Sequence, residues 1–278
     1  MGKSKIEWLK NADGSQGYTL NPVKGKCPVA CSYCYARRLY DRFKWEQEIR
    51  YIGRDKLFDE ILKIPRGRKQ KIFIGSTIEL FGDWIEPYWM KDIFEVVNTF
   101  SFFTFIFLTK QPQNLVKWSP FPPNVWVGVS ATDYHMYSKA MLALTEVKAS
   151  IRFLSIEPLL DWTNLKTALP KGIIDWLIIG SQTQPIRHPK PEWVREIIEA
   201  ADKARIPVFV KEPLASHMGI QRQEFSSGAD LIRELRGTTV VFDTMVTCSQ
   251  CHQYFYAQSA TDICPSCVVR NEQWMTPS

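Results

Sequence analysis

The sequence lacks a run of about 18 apolar residues, so no segment is predicted to cross a bilayer as a helix. It also lacks an apolar signal core after Met1, and Ile6 stands where a myristoylation signal needs Ser or Thr. There is no low-complexity tract and no sequence repeat. With 45% hydrophobic and 23% charged residues, the chain has the composition of a soluble globular protein, and we expect it in the cytoplasm.

Histidine is scarce, with four residues among 278, whereas seven cysteines fall into two groups. The histidines have no partner spacing, so surface or core roles are expected for them. Seven thiols cannot all pair as disulfides, and the short spacings within each group suit metal binding, so we infer a reducing compartment. The first group is Cys27, Cys31 and Cys34, and the second is Cys248, Cys251, Cys264 and Cys267.

The first cysteine group has the spacing C-x3-C-x2-C, with Gly25 ahead of it and Tyr33 directly before its third cysteine. Three thiolates from one loop can surround one small inorganic cluster. Because four-iron clusters are normally held by four thiolates, a set of three leaves one iron open to another ligand. The alternative is a zinc site completed by a distant histidine, and the scarcity of histidine favours the cluster.

The second cysteine group contains C-x2-C twice, with twelve residues between the two pairs. Each pair forms a tight knuckle, and two knuckles place four sulfur atoms in a tetrahedron, so the group predicts a zinc ribbon. An auxiliary iron–sulfur cluster is the alternative. We expect a structural ribbon; a functional one would bind nucleic acid through Tyr254, Phe255, Tyr256 and Arg270.

The formal net charge of +6 is mild. This value counts all thiols as neutral, and it would fall to roughly +3 if the first group held an oxidised four-iron cluster and the second held zinc. Charge alone therefore does not indicate nucleic-acid binding.

Short apolar runs alternate with amphipathic helical stretches between residues 18 and 210. Such runs predict parallel strands that are buried on both faces. Seven of them suit an α/β fold with a partial or near-complete (β/α) barrel at residues 1–214, a connecting segment at 215–240 and a zinc-ribbon-like domain at 241–278. The predicted strands are Tyr18–Asn21, Lys71–Gly75, Phe103–Thr109, Val125–Val129, Ile151–Ile156, Trp176–Gly180 and Val208–Val210.

Polar residues follow six of the predicted strands at their carboxyl ends, where the active sites of such barrels lie. If the strands are right, Lys110, Glu157, Gln182, Lys211 and Glu212 point towards the mouth of the barrel. We take Lys110, Glu157 and Lys211 as the catalytic candidates. The alternative is that a lysine and a carboxylate form a buried ion pair there.

Two segments near the amino terminus are predicted from local pattern. Residues 1–17 are expected to be a lead-in segment to the first strand. From Tyr35 to about Tyr51 the chain is basic and aromatic, with Phe43 and Trp45 among its aromatic residues. An amphipathic helix whose aromatic side chains face the core is favoured here over a substrate-binding surface.

The pattern C-x3-C-x-Tyr-C resembles the signature of radical S-adenosylmethionine (radical SAM) enzymes. A longer frame is similar to a largely phage-encoded branch of that superfamily and, distantly, to spore photoproduct lyases. The similarity runs from about Ile6 to about Leu214, and the first two cysteines are closer together than in many members of the branch. The frame consists of Ile6-Glu7-Trp8, Asn21-Pro22, Gly25 and Cys34-Tyr35-Ala36.

The resemblance implies a [4Fe–4S] cluster on Cys27, Cys31 and Cys34, with S-adenosylmethionine (SAM) bound to its fourth iron. It also implies that Glu79, or alternatively Asp83, pairs with the amino group of SAM. Ordinary strand capping or loop hydrogen bonding is the alternative for each candidate. The other implied cofactor-binding residues are Tyr33 at the adenine, Gly75 and Ser76 beside the amino group, and Ser130, Thr132 and Ser155 near the ribose.

The leading hypothesis is a radical SAM enzyme that modifies or rearranges a nucleobase, such as a hypermodified thymidine of phage DNA. A flavodoxin or ferredoxin would supply the electrons. The DNA part rests on analogy with the resembling families, together with the predicted ribbon and the basic stretch. One alternative is a radical SAM enzyme for a small molecule or peptide, and another is a non-catalytic, metal-stabilised nucleic-acid-binding protein.

Overall fold

The computed structural model describes residues 2–67, 69–162 and 169–226, together with the backbone of two strands at 244–247 and 254–257. The chain divides into two compact units, Met1–Gly228 and Ala229–Ser278. The four cysteines of the second group and Arg270 lie outside the described residues. No helix in the described part has the length and apolar character needed to cross a membrane.

The elements of the first unit follow the predicted alternation of strands and helices. The strands are β1 (Gly2–Lys3), β2 (Tyr18–Leu20), β3 (Val23–Lys24), β4 (Arg50–Tyr51), β5 (Lys71–Ile74), β6 (Thr104–Thr109), β7 (Val125–Ser130), β8 (Ile151–Ile156), β9 (Trp176–Ile179), β10 (Gln182–Thr183), β11 (Ile186–Arg187) and β12 (Val208–Val210). The helices are α1 (Tyr35–Phe43), α2 (Arg54–Leu62), α3 (Pro87–Thr99), α4 (Tyr134–Glu146), α5 (Pro191–Ala204) and α6 (Leu214–Met218), with short 3₁₀ helices at Pro112–Asn114 and Val116–Trp118. In the second unit, β13 (Thr244–Thr247) pairs antiparallel with β14 (Tyr254–Ala257).

The local sequence explains where several elements begin. Asp133 caps α4, because its Oδ1 accepts a hydrogen bond from the Met136 N–H at 2.8 Å. Pro87 and Pro191 start α3 and α5, where a missing N–H costs nothing. All six residues of β7 are buried, as expected for a parallel strand that meets solvent on neither face.

One eight-stranded sheet forms the centre of the first unit, in the order β1-β2-β5-β6-β7-β8-β9-β12. From β2 to β12 each neighbouring pair is parallel and the spatial order follows the chain, which is the winding of a (β/α) barrel. The seven predicted strands are confirmed as these parallel strands. β1, which pairs antiparallel with β2 at one edge, was not predicted.

The amino-terminal segment fills the concave side of this sheet. Trp8 is 3% exposed, and its ring centroid lies 5.3 Å from that of Phe73 on β5 and 6.1 Å from that of Trp176 on β9. In a flat sheet these strands, four positions apart, would be roughly 19 Å from each other, so the sheet must curl around Trp8. Residues 1–17, which were expected to lead into the first strand, therefore also contribute Trp8 to the core.

The curled sheet is open in the described part of the chain, where its edge strands β1 and β12 do not pair with each other. Two contacts link the segments after β12 to the other side of the sheet. The Glu7 carboxylate accepts a hydrogen bond from the Glu212 N–H at 2.9 Å, just after β12. The Lys71 ammonium on β5 lies 5.5 Å from the ring of Phe225, which follows a segment that pairs with β12.

Replacing the central indole tests this arrangement. We expect Trp8→Ala to lower the free energy of unfolding by about 3–5 kcal/mol, because a large cavity would remain among the rings of Phe73, Phe153 and Trp176. Leu142→Ala is the control, since Leu142 is 71% exposed on α4 and its loss should change stability by less than about 0.5 kcal/mol. Denaturant unfolding of the apoprotein measures both, and similar effects of the two substitutions would contradict a central position for Trp8.

Candidate functional site

An open cavity of about 530 Å³, its mouth included, lies where the cysteine loop meets the carboxyl ends of β5, β6 and β7. Eight residues singled out from the sequence line it, namely Cys27, Cys31, Cys34, Gly75, Ser76, Glu79, Lys110 and Ser130. The other lining residues were not among the predicted site residues; they are Val29, Phe73, Thr77, Ile78, Leu108 and Thr109.

The cysteine loop is shaped by contacts at both of its ends. Gly25 has φ 120°, and a Cβ there would lie 2.5 Å from the Glu48 carbonyl oxygen, so only glycine fits. At the other end Cys34 caps α1, with the Arg37 N–H donating to its Sγ at 3.4 Å. The Arg37 guanidinium donates to the Cys27 carbonyl oxygen at 3.0 Å and so ties the start of the loop to the helix.

The three thiols are partly exposed and none is in a disulfide in the described part of the chain. Burial raises the pKa of Cys27, although the backbone N–H groups of Glu79 and Val29, which face its sulfur, act in the opposite direction.

Tyr33 lies beside the thiols. Burial and the neighbouring Cys31 raise the pKa of its phenol, so the ring is neutral at pH 7. The Lys110 ammonium is 5.9 Å from the centre of this ring. Tyr33 is therefore next to two groups that line the cavity, although it does not line the cavity itself.

Glu79 joins the ends of two strands. Its Oε1 accepts hydrogen bonds from the Thr109 hydroxyl at 2.7 Å and the Phe81 N–H at 2.9 Å, and its Oε2 accepts one from the Lys110 N–H at 2.6 Å. The side chain is buried, whereas that of Asp83 is 79% exposed and outside the cavity lining. Of the two carboxylates proposed from the sequence, Glu79 is the one at the cavity.

Asn21, the residue that follows β2, holds the turn after β5. Asn21 Oδ1 accepts hydrogen bonds from the Ser76 hydroxyl and from the Thr77 N–H, each at 3.2 Å. The Tyr35 hydroxyl donates to the Ser76 carbonyl oxygen at 3.1 Å. Gly75 has φ 80°, a conformation that suits glycine. Asn21 was not predicted as a site residue, although it belongs to the Asn-Pro pair of the sequence frame.

The three hydroxyl candidates for the ribose occupy different environments. Ser130 and Ser155 are buried neighbours on β7 and β8, and only Ser130 lines the cavity. The Thr132 hydroxyl lies 3.2 Å from the Met136 sulfur, and the Thr132 carbonyl oxygen accepts the Leu160 N–H. Thr132 therefore has the loop hydrogen bonds that were its alternative role.

The other catalytic candidates lie apart from the cavity lining. Glu157 and Lys211 form an ion pair with each other, and their side chains are 22% and 15% exposed. Gly180 packs against this pair, because a Cβ there would lie 3.0 Å from the Glu157 side chain. The ion-pair alternative describes these two residues, whereas Lys110 lines the cavity. Glu212 accepts the Ser216 N–H at 3.2 Å at the start of α6.

Two histidines for which the sequence shows no partner spacing are neighbours in the structure. The rings of His188 and His217 stack with centroids 3.9 Å apart, and His188 Nδ1 lies 2.9 Å from the Ser181 hydroxyl oxygen. Burial and the neighbouring His217 lower the pKa of His188. Their separation of 29 positions along the chain gives no sequence signal for this contact.

The model of a family described as "Protein of unknown function (DUF5131)" matches residues 3–240. The chain belongs to the DUF5131 family. The DUF5131 match includes every residue that lines the cavity. No curated protein matches the chain.

Solved structures of spore photoproduct lyase are similar to this DUF5131 chain. One is a mutant with bound AdoMet and dinucleoside spore photoproduct; it has a TM-score of 0.44 and 11% identity, over 96% of this chain and 74% of that one. Another is a complex with dinucleoside spore photoproduct, with a TM-score of 0.45 and 12% identity over 96% of this chain and 74% of that one.

A pair of carboxylate-to-amide substitutions tests the role of Glu79 in this DUF5131 chain. We expect Glu79→Gln to lower the free energy of unfolding by about 1–3 kcal/mol, because an amide would turn a donor towards buried N–H and O–H groups. Asp83→Asn makes the same chemical change on an exposed side chain and should cost less than about 0.5 kcal/mol. Denaturant unfolding under reducing conditions compares them, and an equal cost would show that Glu79 does not hold the two strand ends together.

Proposed function

We propose that this chain is a radical SAM enzyme whose [4Fe–4S] cluster binds Cys27, Cys31 and Cys34. The observation that carries the proposal is that all three thiols line one cavity, together with the carboxyl ends of three parallel strands. Strand ends of this kind are where barrel folds place their reacting groups.

The donor set and its surroundings fit a cluster. Each thiolate binds a different iron of a [4Fe–4S] cluster, so the three ligands stand around a cavity instead of meeting at one point. Within the described ranges, no three His, Cys, Asp or Glu side chains converge where a single metal ion would sit. Backbone N–H groups face the sulfur atoms of Cys27 and Cys34, and hydrogen bonds to sulfur are among the contacts by which proteins tune iron–sulfur clusters.

When bound, such a cluster supplies the electron that splits SAM into methionine and a 5′-deoxyadenosyl radical. The residues of the chain would bind and orient the cofactor and exclude water. Phe73 and Leu108 form an apolar part of the cavity wall. The buried Ser130 places a hydroxyl group at the edge of the cavity. Lys110 brings a positive charge to the cavity, on a backbone that Glu79 fixes.

Glu79 is the proposed partner for the amino group of SAM. A carboxylate has about four acceptor positions, and donors of the chain occupy three of those of Glu79. One position is left for an ammonium group, whose charge would also balance that of the buried carboxylate. We propose further SAM contacts at Gly75 and Ser76, which line the same cavity, and at Tyr33, which lies next to Lys110.

We further propose that the substrate is a nucleobase within DNA. The support is the position of the charge along the chain, since the mild net charge of the whole chain does not by itself indicate nucleic-acid binding. The stretch from Lys24 to Arg54, which contains the cysteine loop, has eight basic and three acidic side chains, and it therefore contributes +5 to a formal net charge of +6. Concentrated positive charge of this kind attracts phosphate backbones.

A flavodoxin or ferredoxin is the proposed electron donor.

The second unit is proposed to hold one zinc ion. Cys248 and Cys251 fall in the sequence between β13 and β14, which pair with each other, so the first knuckle would connect two hydrogen-bonded strands. The proposed ligands are Cys248, Cys251, Cys264 and Cys267.

Cofactor cleavage tests the proposed reaction. Anaerobically reconstituted protein is expected to show the absorbance and EPR signal of a [4Fe–4S] cluster and to form 5′-deoxyadenosine from SAM once dithionite is added. Cys27→Ser, Cys31→Ser and Cys34→Ser should each reduce both readouts to background, because the triad has no spare thiolate. Protein with an intact cluster that forms no 5′-deoxyadenosine, or zinc bound by the triad, would refute the proposal.

Metal analysis tests the second unit separately. Protein purified aerobically is expected to contain about one zinc ion per chain, the number that four thiolates hold in a structural site. Cys251→Ser should remove this zinc yet leave the iron of the reconstituted first site unchanged. Iron with acid-labile sulfide in place of zinc would favour the auxiliary cluster and exclude the ribbon.

A further inference from the structure

The carboxyl end of α1 carries an exposed pair of aromatic rings. Phe43 is 53% exposed and Trp45 is 48% exposed, and their rings stack with centroids 5.5 Å apart at an interplanar angle of 21°. The expectation that the aromatic side chains of this helix face the core is wrong for both, although it holds for Tyr40. We call Phe43 and Trp45 the aromatic platform.

The conformation of Lys44 explains why both rings reach solvent. Lys44 ends α1 with φ 54°, and the Trp45 N–H turns back to the Tyr40 carbonyl oxygen at 3.1 Å. The helical periodicity therefore stops between the two aromatic residues, and they meet each other outside the core. Two large rings held together in water expose apolar surface that packing inside the unit does not use.

Two cationic residues, Arg42 and Lys44, adjoin the aromatic platform in the sequence. The Arg42 guanidinium lies 5.3 Å from the centre of the Phe43 ring. In the part of the chain that the structure describes, no ion pair joins Arg42 or Lys44 to a carboxylate, whereas the nearby Asp41 and Glu46 pair with Lys26 and Arg50. The charge beside the rings is thus free to meet an anionic partner.

The aromatic platform is connected to the cysteine loop. The Tyr40 ring meets the Trp45 ring edge-on at 5.3 Å, and the Tyr40 hydroxyl accepts the Gly25 N–H at 2.9 Å, two residues before Cys27. The nine residues of α1 span about 13 Å at 1.5 Å per residue, so the platform lies within about that distance of the turn that begins at Cys34. A polymer bound at one place could reach the other.

We propose that the aromatic platform, flanked by Arg42 and Lys44, binds nucleic acid by stacking on an unpaired base while the two cations contact the adjacent phosphates. Proteins bind single strands with exposed aromatic rings beside cations that have no carboxylate partner. The rings stack on the bases, and the cations meet the negative charge that every nucleotide carries. That the bound strand is also the enzyme's substrate rests on the proposed function. The binding of nucleic acid to the platform does not depend on that function. An acidic electron-carrier protein is the rival occupant.

Fluorescence anisotropy of a labelled single-stranded DNA of about twelve nucleotides tests the proposal on the full-length, reconstituted protein. The double variant Phe43→Ala, Trp45→Ala is expected to raise Kd about tenfold or more, through loss of one stacked base. The double variant Phe43→Tyr, Trp45→Phe keeps the ring faces and should bind within about twofold of the wild type. Tyr88→Ala, on another ring that is 59% exposed, is the matched control and should leave Kd unchanged.

Salt dependence tests the cations. Arg42→Gln and Lys44→Gln should each reduce the slope of log K against log salt by roughly 0.7, the value for one phosphate contact on a single strand. Far-UV circular dichroism and thermal unfolding check that each variant is folded. An unchanged Kd in the folded alanine double variant would overturn the proposal. Unchanged DNA binding with lost affinity for an oxidised flavodoxin would overturn it too, and would assign the surface to the electron donor.

Two readouts separate this inference from the proposed function. In one outcome, the wild type and the alanine double variant both form 5′-deoxyadenosine and bind DNA with equal affinity. Only the platform proposal then fails. If the wild type forms no 5′-deoxyadenosine but DNA binding falls in the variant, the radical SAM proposal fails and the nucleic-acid surface stands.

Discussion

The packing of strand side chains around Trp8 is the constraint on which the rest of the first unit depends. A parallel sheet whose strands follow the chain order can lie flat or curl, and the contacts of one indole with rings on β5 and β9 require the curl. Curling brings the carboxyl ends of successive strands towards each other. The cavity beside the cysteine loop exists because β5, β6 and β7 end at one rim.

Polar contacts then fix that rim in detail. Glu79 binds the end of β6 through the Thr109 hydroxyl and the Lys110 N–H, and Asn21 binds the turn after β5. Because these donors and acceptors are satisfied within the chain, the wall of the cavity is built before any ligand arrives. A preformed wall reduces the ordering cost that a bound cofactor would otherwise incur. The loop that holds the cysteines gains the same benefit from Gly25.

The sequence was informative wherever a local pattern decides the structure. Continuous apolar runs identify parallel strands because these are buried on both faces, and polar residues after the runs identified Glu79 and Lys110 at the rim. Long-range contacts left no such pattern. Trp8 enters the core only because strands far along the chain surround it, and Glu157 pairs with Lys211 instead of lining the cavity. Helical periodicity also cannot foresee the left-handed turn at residue 44 that exposes the platform.

The central position of Trp8 has a consequence for synthesis of the chain on the ribosome. The rings that cover Trp8 include Phe153 and Trp176, which are synthesised much later than the indole. At about 5–20 residues per second, the indole would wait roughly ten seconds or more for its last partners. Vectorial folding from the amino terminus therefore cannot complete this core, and nascent chains have to keep an apolar segment from aggregating until the late strands are made.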